Sequence, residues 1–165
     1  MQLSQTKEMP QARVHVAHPA MAMIGLMIGA FVGMFSETSL NIALPSLMTA
    51  LNVSQGTIQW LVTGYMLVIG ICMPLSSLLS KWFNTKKIIL FALGAFILGS
   101  VVSAMGAVFP VVLIGRLIQG IGTGLILPLM FSVAMQIFPP YKLGTVMGMA
   151  ALVIMFAPAI GPTIT

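Results

Sequence analysis

Charge is what this sequence has least of. Only 5% of its 165 residues are Asp, Glu, Lys or Arg, while 59% are hydrophobic. An average soluble domain carries about a quarter charged residues. So few ionisable side chains cannot cover a surface that faces water, and exposing the apolar surface would cost about 25 cal/mol per Å². The composition therefore excludes a soluble domain and predicts a protein embedded in a lipid bilayer.

Cysteine is almost absent as well. Cys72 is the only one, which excludes a disulfide framework and a four-ligand zinc site. No nucleophile–base constellation or metal-ligand cluster is visible, and His15 and His18 lie in a polar tail, so we expect neither an enzyme nor a metal site. The net charge of +5 comes from basic residues that form no stripe with interleaved aromatics, so no nucleic-acid partner is expected.

Five apolar runs are long enough to cross a hydrocarbon core, which takes about 20 residues. These predicted spans cover residues 20–44, 58–79, 88–108, 110–134 and 144–165. The sequence therefore predicts an all-α integral membrane protein with a helical bundle over 20–165. Residues 1–19 form a polar tail that does not resemble a signal peptide. Because the connections are short, neighbouring helices are expected to be antiparallel.

The basic residues predict an orientation for this bundle. Six of the seven fall on one side of the predicted spans: Lys7, Arg13, Lys81, Lys86, Lys87 and Lys142. Segments 45–57 and 105–108, on the other side, contain no Lys or Arg. The positive-inside rule therefore predicts a cytoplasmic N-terminus in the cell membrane. The last run reaches Thr165 without a polar exit, so we expect a truncated part of a longer membrane protein.

Two charged residues lie inside predicted spans. Glu37 lies about 25 Å beyond Ala20, and Arg116 about 9 Å into the fourth span, so the two come to similar depths on antiparallel helices. An isolated charge at the bilayer centre costs about 3 kcal/mol, so a pair or a water-filled cavity is expected. Glu37 is then an acid that binds protons or a cation, with Arg116 tuning it. The alternative is a fixed ion pair that only joins two helices.

Small residues predict which helix faces pack inward. Gly25, Gly29 and Gly33 recur every fourth residue and are followed at the same spacing by Glu37 and Asn41. Glycines at this spacing let another helix approach closely. The face that packs inward therefore also carries the acid, and Asn41 becomes a candidate for contact with a substrate.

The fourth and fifth spans carry further patterns. Residues 120–124, GIGTG, resemble a nucleotide-binding loop only in composition, because no strand precedes them. Gly120 and Gly124 are instead expected to pack against another helix, and Gln119 is a second candidate for substrate contact. In the fifth span, residues 158–162 include Pro158, Gly161 and Pro162. Each proline removes a backbone donor, which predicts a hinge or, equally, a static kink.

At these residues the chain resembles the major facilitator superfamily, and more closely the fourteen-helix drug:proton antiporters of the EmrB/QacA type in their lincomycin-resistance branch. The resemblance covers residues 20–165. Residues 35–45, FSETSLNIALP, resemble the acidic first-helix motif, with Glu37 at the acidic position. Residues 59–65, QWLVTGY, are similar to the start of the second helix. Residues 115–124 resemble the motif whose arginine, here Arg116, assists proton transfer. Residues 157–162, APAIGP, are similar to the antiporter motif of the fifth helix.

The loop between the second and third spans departs from the superfamily pattern. Ser77, Lys81 and Asn84 stand where the superfamily has glycine, aspartate and glycine, and only Lys86 and Lys87 keep its basic cluster. The gating role of the aspartate does not carry over to Lys81. The lincomycin-type branch shares this departure, so the resemblance implies a variant gate.

The resemblance implies five helices of an expected fourteen, forming the N-terminal part of a proton-coupled exporter of drugs or other amphipathic compounds. The proton gradient would be its energy source, with no cofactor, and the remaining helices of the full-length transporter would be its partners. The first and fourth helices would line a central cavity. Two alternatives stay open: a metabolite importer or facilitator of the same superfamily, and a non-transporting truncated membrane fragment.

Overall fold

The computed structural model describes the backbone of residues 19–164 and the side chains of residues 21–160. Within that part the chain forms α1 (Pro19–Ala50), α2 (Gln55–Ile58), α3 (Trp60–Trp82), α4 (Thr85–Ala104), α5 (Phe109–Ile137) and α6 (Pro140–Ile164). The single turn of α2 leads into α3, and together they make one span. Five helical segments are long and apolar enough to cross a bilayer. The predicted all-α membrane fold is therefore confirmed.

The first helix is longer than its apolar run. It was expected to end at Leu44, but α1 continues through Pro45 to Ala50. Proline adopts a helical φ and removes only one backbone donor, so a helix can continue through it. The chain turns at Asn52, whose φ of 51° lies in the left-handed region that asparagine tolerates. Val53 N–H donates to the Met48 carbonyl across this turn, at 3.2 Å.

Other helix ends also differ from the predicted spans. α4 begins at Thr85, before the predicted 88, and ends at Ala104, before the predicted 108. The early start takes in two exposed lysines that hydropathy leaves outside an apolar run. At the other end, Val108 is extended and Pro110 occupies the first turn of α5, a position where the missing N–H costs no hydrogen bond. Helix α6 begins at Pro140, before the predicted 144.

Helix α5 occupies the centre of the bundle. Of its most apolar 18-residue stretch 67% is buried, against 11–28% for the other spans. Helices α3 and α4 pack along α5, and α6 packs mainly against α1. Two apolar clusters result, one at each end of α5. The first contains Leu40, Ile58, Leu61 and Val112; the second includes Met23, Leu26, Ala30, Ile88, Ala92, Leu125, Ile126, Leu129 and Met130.

The α4–α5 interface depends on glycine. A Cβ atom on Gly99 would lie 2.6 Å from the Gly115 carbonyl oxygen, and one on Gly122 would lie 2.6 Å from the Ala92 carbonyl oxygen. Both obstacles are backbone atoms, so no side-chain rotation could relieve the clash. Glycine is therefore required for the two helices to approach this closely.

The predicted glycine face of α1 is only partly a packing face. A Cβ on Gly29 would lie 3.0 Å from Leu93 Cδ2, and one on Gly33 would lie 3.2 Å from Thr123 Cγ2. At Gly25 the same atom would meet nothing within 4 Å. Residues four apart drift by about 40° per step around a helix, which turns Gly25 away from the face that carries Gly33.

The remaining small residues fall on two other helices. Gly120 and Gly124 face α3, where their Cβ atoms would lie 3.2 Å from the Tyr65 carbonyl oxygen and 2.8 Å from Cys72 Cβ. Helix α6 continues through positions 158, 161 and 162 to Ile164. The hinge expected there stays a prediction.

Candidate functional site

A buried polar cluster crosses the bundle between the two apolar clusters. We call it the polar cluster; it consists of Ser36 on α1, Tyr65 on α3, Ser100 on α4, and Arg116, Gln119 and Thr123 on α5. Along α5 it follows Val112 of one apolar cluster and precedes Leu125 of the other. Hydrocarbon side chains therefore enclose its polar atoms at both ends, which strengthens the electrostatic interactions within it.

Arg116 is the charge at the centre of the polar cluster. Only 5% of the residue is exposed. Its Nη1 donates to Gln119 Oε1 at 3.0 Å and to Ser36 Oγ at 3.3 Å, while Nη2 donates to the Ser36 carbonyl oxygen at 3.3 Å. The guanidinium carbon lies 5.5 Å from the centre of the Tyr65 ring, within the range of a cation–π interaction. Neutral oxygens and an aromatic face thus stabilise the buried cation.

Gln119 connects Arg116 to two further helices. Its Nε2 donates to Ser36 Oγ and to Ser100 Oγ, both at 3.1 Å, while its Oε1 accepts from Arg116. Both hydrogens of the amide nitrogen are therefore used within the protein. The structure places Gln119, expected as a candidate for substrate contact, inside the polar cluster as a partner of Arg116.

Tyr65 and Thr123 extend the polar cluster towards α3. The Tyr65 hydroxyl donates to Thr123 Oγ1 at 2.9 Å, and the Thr123 hydroxyl donates to the Gln119 carbonyl oxygen at 3.2 Å. Both residues are almost completely buried. The spacing of positions 116, 119 and 123 indicates one face of a helix. That spacing was a signal in the sequence for a polar face on α5.

Glu37 lies beside the polar cluster without belonging to it. It is half-buried, and within the described residues its carboxylate makes no hydrogen bond or ion pair. It still interacts electrostatically with Arg116. The adjacent residue, Ser36, contacts Arg116, so Glu37 lies at the same level, turned about 100° around α1. The alternative, a fixed ion pair between Glu37 and Arg116, is therefore not present among the described residues.

The other predicted site residues lie away from the polar cluster. Asn41 is exposed on α1, one turn beyond Glu37. Lys81 lies in the last turn of α3, while Lys86 and Lys87 lie in the first turn of α4, and all three are exposed. Their predicted gating role concerns an end of the bundle separate from the buried arginine.

Comparison with known protein families identifies the superfamily of this chain. Residues 26–165 match the sequence model of the family described as Major Facilitator Superfamily. The match covers most of the chain, and the chain therefore belongs to the major facilitator superfamily, a superfamily of membrane transporters and not of enzymes.

Individual relatives identify the branch of the superfamily that the chain resembles. The chain is 52% identical over 141 residues to the lincomycin resistance protein LmrB of Bacillus subtilis (strain 168), covering 86% of this chain and 29% of that protein. It is 46% identical over 147 residues to LmrB of Listeria monocytogenes, covering 89% and 31%. It is also 30% identical over 139 residues to multidrug resistance protein 3 of Bacillus subtilis, covering 84% and 27%. The resemblance to the lincomycin-resistance branch is therefore confirmed, over less than a third of the length of these relatives.

Proposed function

We propose that these five spans belong to a transporter that exports drugs or other amphipathic compounds from the cell in exchange for protons. One observation carries this proposal: a half-buried acid, Glu37, which forms no ion pair within the described residues, lies beside a buried arginine in the membrane-spanning part of the chain. Ionisable residues in such a position mark proton or substrate pathways. Relatives named lincomycin resistance and multidrug resistance proteins support drugs as the substrate class.

Glu37 would carry the proton in this mechanism. It is protonated while the site is open to the outside, and it releases the proton when the site opens to the cytoplasm. Substrate binds to the deprotonated form, so proton and substrate compete for one site in alternating access. Arg116 supplies a fixed positive charge that keeps release possible in a site of low dielectric constant. Asn41, exposed one turn from Glu37, would contact the substrate.

The same proposal includes an orientation of the chain in the membrane and the partners of its five spans. The N-terminus would be cytoplasmic in the cell membrane, with Lys81, Lys86, Lys87 and Lys142 on that side. The first three would belong to a variant of the superfamily's cytoplasmic gating loop, in which Lys81 does not take over the role of the aspartate. Helices beyond the five described here would complete the cavity for an amphipathic substrate, and the proton gradient would drive export without a cofactor.

Transport in inverted membrane vesicles tests this function. In vesicles that contain the full-length transporter and have an acidic interior, lincomycin is expected to accumulate, and nigericin, which collapses the pH gradient, should abolish accumulation. A difference of one pH unit supports about a tenfold gradient for each proton exchanged. Accumulation that survives nigericin would exclude proton coupling. Uptake only into right-side-out vesicles would favour the importer, and no gradient-dependent movement in either direction would favour the non-transporting fragment.

Replacing Arg116 by lysine should reduce export at least tenfold at matched expression. Lysine keeps the charge, but one ammonium group cannot reproduce the two-nitrogen fork that contacts Ser36 and Gln119, nor stack on the Tyr65 ring. Each hydrogen bond to a charged group contributes about 1.5–3 kcal/mol. The matched control is Lys142→Arg, because Lys142 is exposed. Wild-type export rates in the Arg116→Lys vesicles would show that the positive charge alone suffices.

A further inference from the structure

Ser36 on α1 accepts hydrogen bonds from two side chains of α5, Arg116 and Gln119. Its hydroxyl oxygen accepts from Arg116 Nη1 at 3.3 Å and from Gln119 Nε2 at 3.1 Å, and its carbonyl oxygen accepts from Arg116 Nη2 at 3.3 Å. A hydroxyl oxygen has two acceptor lone pairs. Both are used here, so one small side chain fixes the guanidinium and the amide that supports it.

This contact determines what the neighbouring acid can do. Ser36 and Glu37 are consecutive on α1, so their side chains point about 100° apart. Arg116 is held on the Ser36 side and forms no ion pair with the carboxylate within the described residues. An opposite charge in direct contact with a carboxylate favours its ionised form by about 10- to 1000-fold. If Arg116 contacted the carboxylate directly, Glu37 would bind a proton only from a much more acidic medium.

We propose that Ser36 is a positioning residue of the proton-coupling site. Together with Gln119 it holds Arg116 beside Glu37 but off its carboxylate, so that the acid stays free to bind and release a proton. Ser100 supports this arrangement by accepting from Gln119 at 3.1 Å. The inference rests on the proposed function, since it assigns Ser36 a part in the proton cycle of Glu37.

The substitution that tests it is Ser36→Ala in the full-length transporter. Alanine removes the acceptor shared by Arg116 and Gln119, so the guanidinium can reach the Glu37 carboxylate. The acid then needs a more acidic outer compartment to be protonated. The outer pH that gives half-maximal lincomycin export is expected to fall by about one unit. A purely structural role would lower the amount of folded transporter without moving this midpoint.

Ser39→Ala is the matched control. It makes the same change three residues along α1, where the hydroxyl is buried and has no hydrogen-bond partner in the described part of the chain. Its pH midpoint should equal that of the wild type. Ser36→Thr keeps the hydroxyl and should restore the wild-type profile. If Ser36→Ala does not fold, Gln119→Leu removes the other neutral acceptor of Nη1 and should shift the midpoint in the same direction.

The outcomes separate this inference from the function on which it rests. If Glu37→Gln remains fully coupled to protons, the part of the proposed function that assigns the proton to Glu37 fails, and the positioning role of Ser36 fails with it. If Glu37→Gln is uncoupled but the Ser36→Ala midpoint equals that of Ser39→Ala, only the positioning role fails.

Discussion

Replacing Glu37 by glutamine is expected to abolish proton-driven export by the full-length transporter. Glutamine has the size of a protonated glutamate but cannot release a proton, so the site stays in the equivalent of its protonated state. The only other acid of the chain is Glu8, in a segment that precedes the predicted spans. No neighbouring carboxylate of this chain could therefore replace Glu37 in the membrane.

The effect on substrate accumulation should be large. With a difference of two pH units, a one-for-one exchange supports up to about a hundredfold accumulation of substrate, and Glu37→Gln should reduce this to about onefold. Exchange of labelled for unlabelled substrate at equal pH should be lost as well, because substrate binds to the deprotonated form that glutamine cannot mimic. Glu37→Asp keeps the carboxyl group and serves as the control, with part of the accumulation retained. Full accumulation by Glu37→Gln vesicles would remove Glu37 from the mechanism.

The fold could be predicted from the sequence because it depends mainly on one simple feature, the presence of long apolar runs. A run of about 20 apolar residues has few structural alternatives in a chain with 5% charged residues. Helix ends were not predictable in the same way. Hydropathy marks residues that suit lipid, whereas the backbone stays helical for as long as its hydrogen bonds continue. Helix α1 therefore passes through Pro45, and α4 begins at Thr85, ahead of two lysines.

Of the residues at the candidate site, only the two charged ones could be predicted from the sequence with a clear physical reason. Glu37 and Arg116 attract notice because an ion in an apolar run is costly. Ser36 and Ser100 carry no comparable signal, since a serine in a membrane helix can satisfy itself on a carbonyl one turn earlier. Ser100 does donate to the Phe96 carbonyl, at 2.8 Å. Which neighbour on α1 meets Arg116 depends on a rotation of about 100° per residue, and sequence spacing alone does not determine that rotation.

Replacing Gly99 by alanine should destabilise the protein by about 2 kcal/mol, within the range for overpacking. The added Cβ would lie 2.6 Å from the Gly115 carbonyl oxygen and 2.8 Å from Gln119 Cα. Since both are backbone atoms, α4 and α5 must move apart. This movement would also lengthen the hydrogen bond from Gln119 to Ser100, now 3.1 Å, so the polar cluster should weaken together with the fold.

Gly94→Ala provides the matched control for this substitution. It lies on the same helix, and its Cβ would meet nothing within 4 Å, so stability should stay within about 0.5 kcal/mol of the wild type, as for substitutions away from packed features. Unfolding of the purified full-length transporter by a denaturing detergent measures the difference. Equal stability of the two variants would contradict the close approach of α4 and α5.

A second substitution on the facing helix tests the same contact from the other side. A Cβ on Gly115 would lie 2.5 Å from the Ser103 nitrogen and 2.8 Å from the Gly99 carbonyl oxygen, so Gly115→Ala should cost about as much as Gly99→Ala. One separation of the two helices relieves both clashes. The double variant should therefore lose less stability than the sum of the single losses. Strict additivity would mean that the two glycines do not face each other.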